Sequence, residues 1–242
     1  MTIMPFTKTA PAFAVLILSA GAVLADCPSN MSDTADSIFV SFDGFYTRFD
    51  RQTDGSVIEE EINLETGEGF RVHSIAGAFV THTWQTQYGA LVQGQMEVTE
   101  YAVGVENLPT LYPGQTWSGS TVRRHDDGTT NVETVDVRMD PETSINIGAC
   151  SYRSWPILVT TTDDDGGDFL DRLTYLPTLG FAIYHGGAYS DEAFTPDTPR
   201  DISTEPPSYI AGAEDAALPP IPGNPTPAQP PAAPPSQPDP NK

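Results

Sequence analysis

The sequence predicts an all-β chain: an antiparallel β-sandwich or curled barrel-like sheet of about nine to eleven strands, with a disordered Pro-rich C-terminal tail. Three observations predict it. Apolar and polar side chains alternate with a period of two from Ser37 to about Tyr189. Asp54-Gly55, Asp127-Gly128 and Gly166-Gly167 interrupt that alternation as hairpin turns do. Between them no stretch shows sustained helical periodicity with caps.

The chain divides into three parts. Residues 1–25 read as a signal peptide: Lys8, an apolar run from Phe13 to Ala25, and the small residues Val23 and Ala25 ahead of Asp26. That run is too short to span a bilayer, so the mature chain is expected to carry no integral membrane span. Residues 26–200 read as a single β-domain, long enough to bury one core. Residues 201–242 read as the tail, because thirteen of the 23 prolines lie between 206 and 242 among small and polar residues. Such a stretch favours extended polyproline conformations and has little apolar surface to bury.

In the domain, Phe39, Ser41, Asp43, Phe45, Thr47 and Phe49 alternate with Phe42, Gly44, Tyr46, Arg48 and Asp50. A two-residue turn at Asp54-Gly55 would set Phe45 opposite Leu64, Thr47 opposite Ile62, Arg48 opposite Glu61 and Asp50 opposite Glu59. Glu60 would then face Phe49 on the inner side. The segment Gly69 to Gln87 contains Gly77-Ala78, a tight turn with glycine first, and Tyr88-Gly89-Ala90 precedes a strand from Leu91 to Val103. Trp117 to Arg124 pairs with Asn131 to Met139 about Asp127-Gly128. Ser144 to Thr162 reads as one strand with Pro156 at a bulge or edge, Phe169 to Tyr175 as the next, and Gly180 to Tyr184 as the last.

Three motifs, Pro113-Gly114-Gln115-Thr116-Trp117, Gly148-Ala149-Cys150-Ser151-Tyr152 and Tyr175-Leu176-Pro177-Thr178-Leu179-Gly180, set glycine or proline beside an aromatic or a cysteine. Together with Glu133-Thr134-Val135, their order over roughly residues 108–185 resembles exported bacterial β-rich domains of unknown function. The resemblance implies a β-rich envelope protein and supplies no catalytic residue.

Export also bears on the two cysteines, Cys27 and Cys150, which are expected to form a disulfide in an oxidising compartment, periplasmic or extracellular. Net charge is −22. That field repels nucleic acid and anionic lipid surfaces, and it leaves an envelope protein or a small ligand as the expected partner.

Several groups of residues could carry chemistry. Asp163, Asp165 and Asp168 crowd oxygen ligands into one turn, a composition calcium favours, although the spacing of a helix-loop-helix calcium site is absent. A turn at Gly77-Ala78 places His73 opposite His82, two nitrogen ligands with no third in the pattern. Trp84, Trp117, Trp155 and Tyr175, with Tyr88, Tyr152, Phe181 and Tyr184 around them, could line a cleft or fill a core. No Gly-x-Ser-x-Gly elbow or phosphate loop occurs, no catalytic residue stands out, and no cofactor motif is present. In Glu59-Glu60-Glu61, alternation sends neighbours to opposite faces. The expectation is therefore a non-enzymatic exported domain with a ligand-binding, partner-binding or structural role in the envelope. The alternative is an envelope hydrolase of glycan or peptide whose carboxylates only the fold would assemble.

Overall fold

A computed structural model describes residues 27–30, 37–164 and 166–207. The expected signal peptide at 1–25, residues 26 and 31–36, Asp165 and the expected tail from residue 208 lie outside the described residues. The strands are β1 (Ile38–Ser41), β2 (Phe45–Arg51), β3 (Val57–Asn63), β4 (Glu68–Ile75), β5 (Phe79–Gln87), β6 (Ala90–Tyr101), β7 (Thr116–His125), β8 (Thr130–Met139), β9 (Thr143–Ile147), β10 (Cys150–Thr162), β11 (Asp168–Leu176), β12 (Phe181–Tyr189) and β13 (Asp201–Ser203). Among the described residues the one helical element is a single 3-10 turn at Val105–Asn107, and no helix is long and apolar enough to cross a membrane.

Every pairing is antiparallel, and the sheet runs β12-β11-β10-β8-β7-β6-β5-β4-β3-β2-β1-β13, with β9 attached to β10. It does not close into a barrel. Following the cross-strand partners, one face carries Phe49 and Val57 at one end and Ile157, Leu173 and Ala182 at the other. Yet Ile38, Val40, Phe49, Val57 and Ile202 pack against Tyr152, Leu176, Phe181 and Ile183, which belong to the opposite face of β10 to β12. The sheet is therefore rolled, with β13-β1-β2-β3 lapping over the outside of β12-β11-β10-β9. The overlap is a two-layer sandwich whose centre is the stacked pair Phe49 and Phe181, ring centroids 4.0 Å apart. Inside the roll lies a second core of Phe79, Tyr101, Leu111, Val137, Met139 and Ile157.

The sequence reading differs from this fold in strand count, domain boundary and register. The strands number thirteen because two stretches expected as single strands are each split by a turn, at Gly44 (φ 86°) between β1 and β2 and at Gly148 (φ 57°) between β9 and β10, and because β13 is added. The domain runs past residue 200, because β13 pairs with β1 and buries Ile202. The β2–β3 register is shifted by one residue: Arg48 faces Glu60 and Phe49 faces Glu59. The cause is a three-residue loop. Gly55 N–H donates to the Gln52 carbonyl, Gln52 N–H to the Ser56 carbonyl, and Gly55 takes the left-handed conformation that forms a bulge. Asp54 selects this loop by accepting hydrogen bonds from Ser56 N and Ser56 Oγ at 2.9 and 2.6 Å. Asp127 does the same with Thr129 at 2.8 and 2.7 Å.

Candidate functional site

The aromatic residues do not converge on one cleft. Trp117, Trp155 and Tyr175 point into the roll and pack on its inner core, with Trp117 edge-on to Phe79 and Trp155 against Tyr175, centroids 5.1 and 5.3 Å apart. Trp84 lies on the other face of the sheet, stacked on His82. Tyr152 and Phe181 are in the overlap, and Tyr88 is exposed. The carboxylates of Asp163 and Asp168 turn to their own chain: Asp163 accepts from Gly167 N and Asp168 from Thr162 Oγ1. Asp165 lies outside the described residues. Among the described residues no group of three or more His, Cys, Asp or Glu side chains is arranged to hold a metal ion.

His73 and His82 do stand opposite each other, their rings 5.8 Å apart. The turn begins one residue earlier than expected, at Ala76-Gly77, and a bulge at Thr81 restores the pairing. Thr81 Oγ1 lies 2.6 Å from His73 Nδ1 and 3.1 Å from His82 Nδ1, and His73 Nε2 lies 2.7 Å from Ser56 Oγ. Ser56 Oγ–H donates to Asp54, so it must accept from His73 Nε2–H. This is the reverse of what a nucleophilic serine requires, in which histidine accepts the hydroxyl proton. With both His73 nitrogens engaged, the pair is a hydrogen-bonded brace across three strands. Burial lowers both imidazole pKa values and keeps the brace neutral.

The carboxyl groups of Glu61, Asp171 and Asp197 gather around Tyr184, with Glu59 beside Glu61. Glu59 and Glu61 leave β3 on the same face, and Asp171 and Tyr184 come from β11 and β12, with Tyr184 Oη–H donating to Asp171 at 3.1 Å. Burial raises the pKa of Asp171, while burial and then the charge of Asp197 raise that of Glu61. Glu59 is buried, accepts one hydrogen bond from Ser74 at 2.9 Å, and is pushed up to about 7 by burial. A carboxyl group whose folded pKa exceeds its unfolded value of 4.5 holds a proton that the unfolded chain has already released. Its stabilising contribution is complete below that lower value and disappears as pH rises through about 7. Glu59→Gln should therefore flatten the fall in stability between these pH values and stabilise the protein above the window by about 1–3 kcal/mol. Urea denaturation at closely spaced pH values checks this; an unchanged slope would exclude a proton on Glu59.

The open concavity is on the outside of the roll. After β12 the chain turns back along that strand's free edge. Asp197 N–H donates to the His185 carbonyl at 2.9 Å, and His185 Nδ1–H donates to the Asp197 carbonyl at 2.8 Å. His185 Nε2 then accepts from Thr174 Oγ1 at 2.9 Å. Burial lowers the His185 pKa, consistent with this neutral tautomer. The returning segment protects the sheet edge and forms one wall of a hollow of about 370 Å³ over the outer faces of β10 and β11. A second hollow of about 410 Å³, bordered by Trp117, Ser118 and Asp136, continues from it and shares Arg138 and Leu158. Leu158 has Arg138 as its partner on β8 and Arg172 as its partner on β11, so the three form a row across the floor. Sequence reading missed this row because its members come from three strands brought together only by register. Comparison with family models, with curated proteins and with solved structures finds no match to this chain.

Proposed function

We propose that this chain is an exported, non-enzymatic domain of the cell envelope, periplasmic or secreted, and that its work is to bind a small ligand in the outer groove. Export is supported by the leader-like run from Phe13 to Ala25 and by the Cys27–Cys150 disulfide. One observation carries the binding reading. The hollow walled by the segment after β12 is lined half by apolar residues, among them Leu158 and three prolines, and half by polar ones, with Arg138 and Arg172 flanking Leu158 and Asp140 and Asp197 also in the lining, a mixture of shape and polar groups of the kind small-molecule sites use.

The test is the amide NMR spectrum of the mature chain with and without the small-molecule fraction of an envelope extract. The expected result is movement of Leu158, Arg172 and Thr174 resonances, abolished in a folded Leu158→Trp variant that fills the hollow. A spectrum in which those residues do not respond would overturn the reading.

A second reading has its own support. Glu59 titrates near neutrality beside Glu61, a proton-holding carboxyl next to another carboxylate, as glycan hydrolysis requires. Steady release of new reducing ends from envelope glycan, lost in Glu59→Gln, would establish it in place of the first.

A further inference from the structure

We infer that the outer groove recognises a small organic oxyanion, a carboxylate or phosphate ester on a compact apolar skeleton. The inference rests on the binding reading above and adds the chemical class of the ligand.

Charge makes the arrangement informative. The chain has 33 acidic side chains against 11 lysines and arginines, so a cation without an acidic partner is unusual. Arg172 makes no ion pair among the described residues; its contact is with the Phe194 ring, 5.7 Å from its guanidinium carbon. Stacking on a ring holds the guanidinium plane and leaves its N–H donors unused. Phe194 fits there because position 186 is glycine: a Cβ on Gly186 would come within 2.9 Å of the Phe194 ring. Arg172 thus lies against Phe194 with no carboxylate bonded to its donors, although Asp140 and Asp197 line the same hollow.

The second arginine is placed by the sheet. Arg138 and Arg172 are the two cross-strand partners of Leu158, so their Cα atoms lie about 10 Å apart, two strand spacings. Arg138 holds Asp140 at 3.0 Å, but that pair is largely exposed and contributes little, so a ligand oxyanion can compete for it. The forked donor geometry of arginine matches carboxylate and phosphate oxygens. The same hollow is lined by Ile145, Pro156, Leu158, Pro196 and Pro199, which accept an apolar skeleton and are stiffened by the prolines, and by Asp140 and Asp197, whose carboxylates oppose an anion and confine it to the arginine side. His185, whose nitrogens face the Asp197 carbonyl and Thr174 Oγ1, is held toward the neutral form by burial and adds no cation to the pair. A hollow of about 370 Å³ is at the lower end of the range for small-molecule clefts, which limits the ligand to a compact one.

The experiment titrates the mature full-length chain with phenyl phosphate, benzoate, benzylamine and benzyl alcohol, followed by amide NMR and calorimetry at low salt. At least one of the two oxyanions should bind at one site, shift Leu158 and Arg172, and weaken as salt is added; the stronger of them identifies the anionic group. Arg172→Ala should lower that affinity at least tenfold. Arg172→Lys, which keeps the charge and loses the fork, should fall between. Arg153→Ala, which removes an exposed arginine paired with Glu142 elsewhere, should leave it unchanged. Equal binding of benzylamine or benzyl alcohol, or full affinity in folded Arg172→Ala, overturns the oxyanion assignment. If the four probes leave the groove unmoved while the envelope fraction still shifts it, the ligand class is wrong and the binding reading stands. If nothing shifts it, both fall.

Discussion

Replacing Cys27 and Cys150 together with alanine should destabilise the oxidised protein by about 5 kcal/mol, the chain-entropy value for a cross-link closing so long a loop. The two residues are 123 positions apart. In a domain of this size the loss corresponds to a fall in Tm of roughly 10–20 °C. The bond's position sets where the effect appears. Cys150 begins β10 in the inner layer of the overlap, and Cys27 belongs to the segment that leads into the outer layer. Those two layers share no strand ladder, so beyond packing the disulfide is a covalent clip between them. Hydrogen exchange should accelerate first in β1 and β13, with β7 and β8 little changed. Equal urea midpoints for the oxidised parent and the double variant would show that packing alone holds the roll shut.

Glu60→Gln should cost about 3–5 kcal/mol, although it changes one atom of a side chain on the outer face of β3. Glu60 and Arg71 form an ion pair at 2.8 Å, with each side chain only 5% exposed. Arg71 also donates to the Gly89 carbonyl at 3.0 Å, while its Nε has no acceptor. Removing the carboxylate charge leaves a buried guanidinium without a counter-ion, which is far more costly than the intact pair is stabilising. The double replacement Glu60→Leu with Arg71→Met should accordingly lie within about 1–2 kcal/mol of the parent, or above it. A double-mutant cycle by urea denaturation measures the difference. A single variant costing less than about 1 kcal/mol would mean that water reaches the pair.

How much of this could be read beforehand depended on how local the cause was. The Asp-Gly hairpins were visible, but their register slipped by one residue, because Asp-Gly suits both two-residue and three-residue loops. The deciding signal was the next residue. Ser56 and Thr129 donate to the preceding aspartate and select the longer loop. The opposition of His73 and His82 was anticipated, whereas its use was not: Thr81 and Ser56 occupy both His73 nitrogens, and Thr81 is a bulge residue that alternation cannot forecast. Glu59-Glu60-Glu61 divided between faces as alternation requires. That Glu61 would lie near Tyr184 and Asp197, with Glu60 paired to Arg71, required knowledge of the neighbouring strands.

The sequence by itself determined the all-β class, the disulfide partners and the side of each ribbon on which most residues stand. Those properties follow from the two-residue pleat, from turn chemistry confined to three or four positions, and from there being two cysteines in the chain. Only the tertiary structure decided that the sheet rolls and overlaps itself, that Glu61, Asp171 and Asp197 gather around Tyr184, and that Arg138, Leu158 and Arg172 form one row. Twist and curvature accumulate over many strands and are set by which distant faces can bury each other, so no short window of sequence contains them.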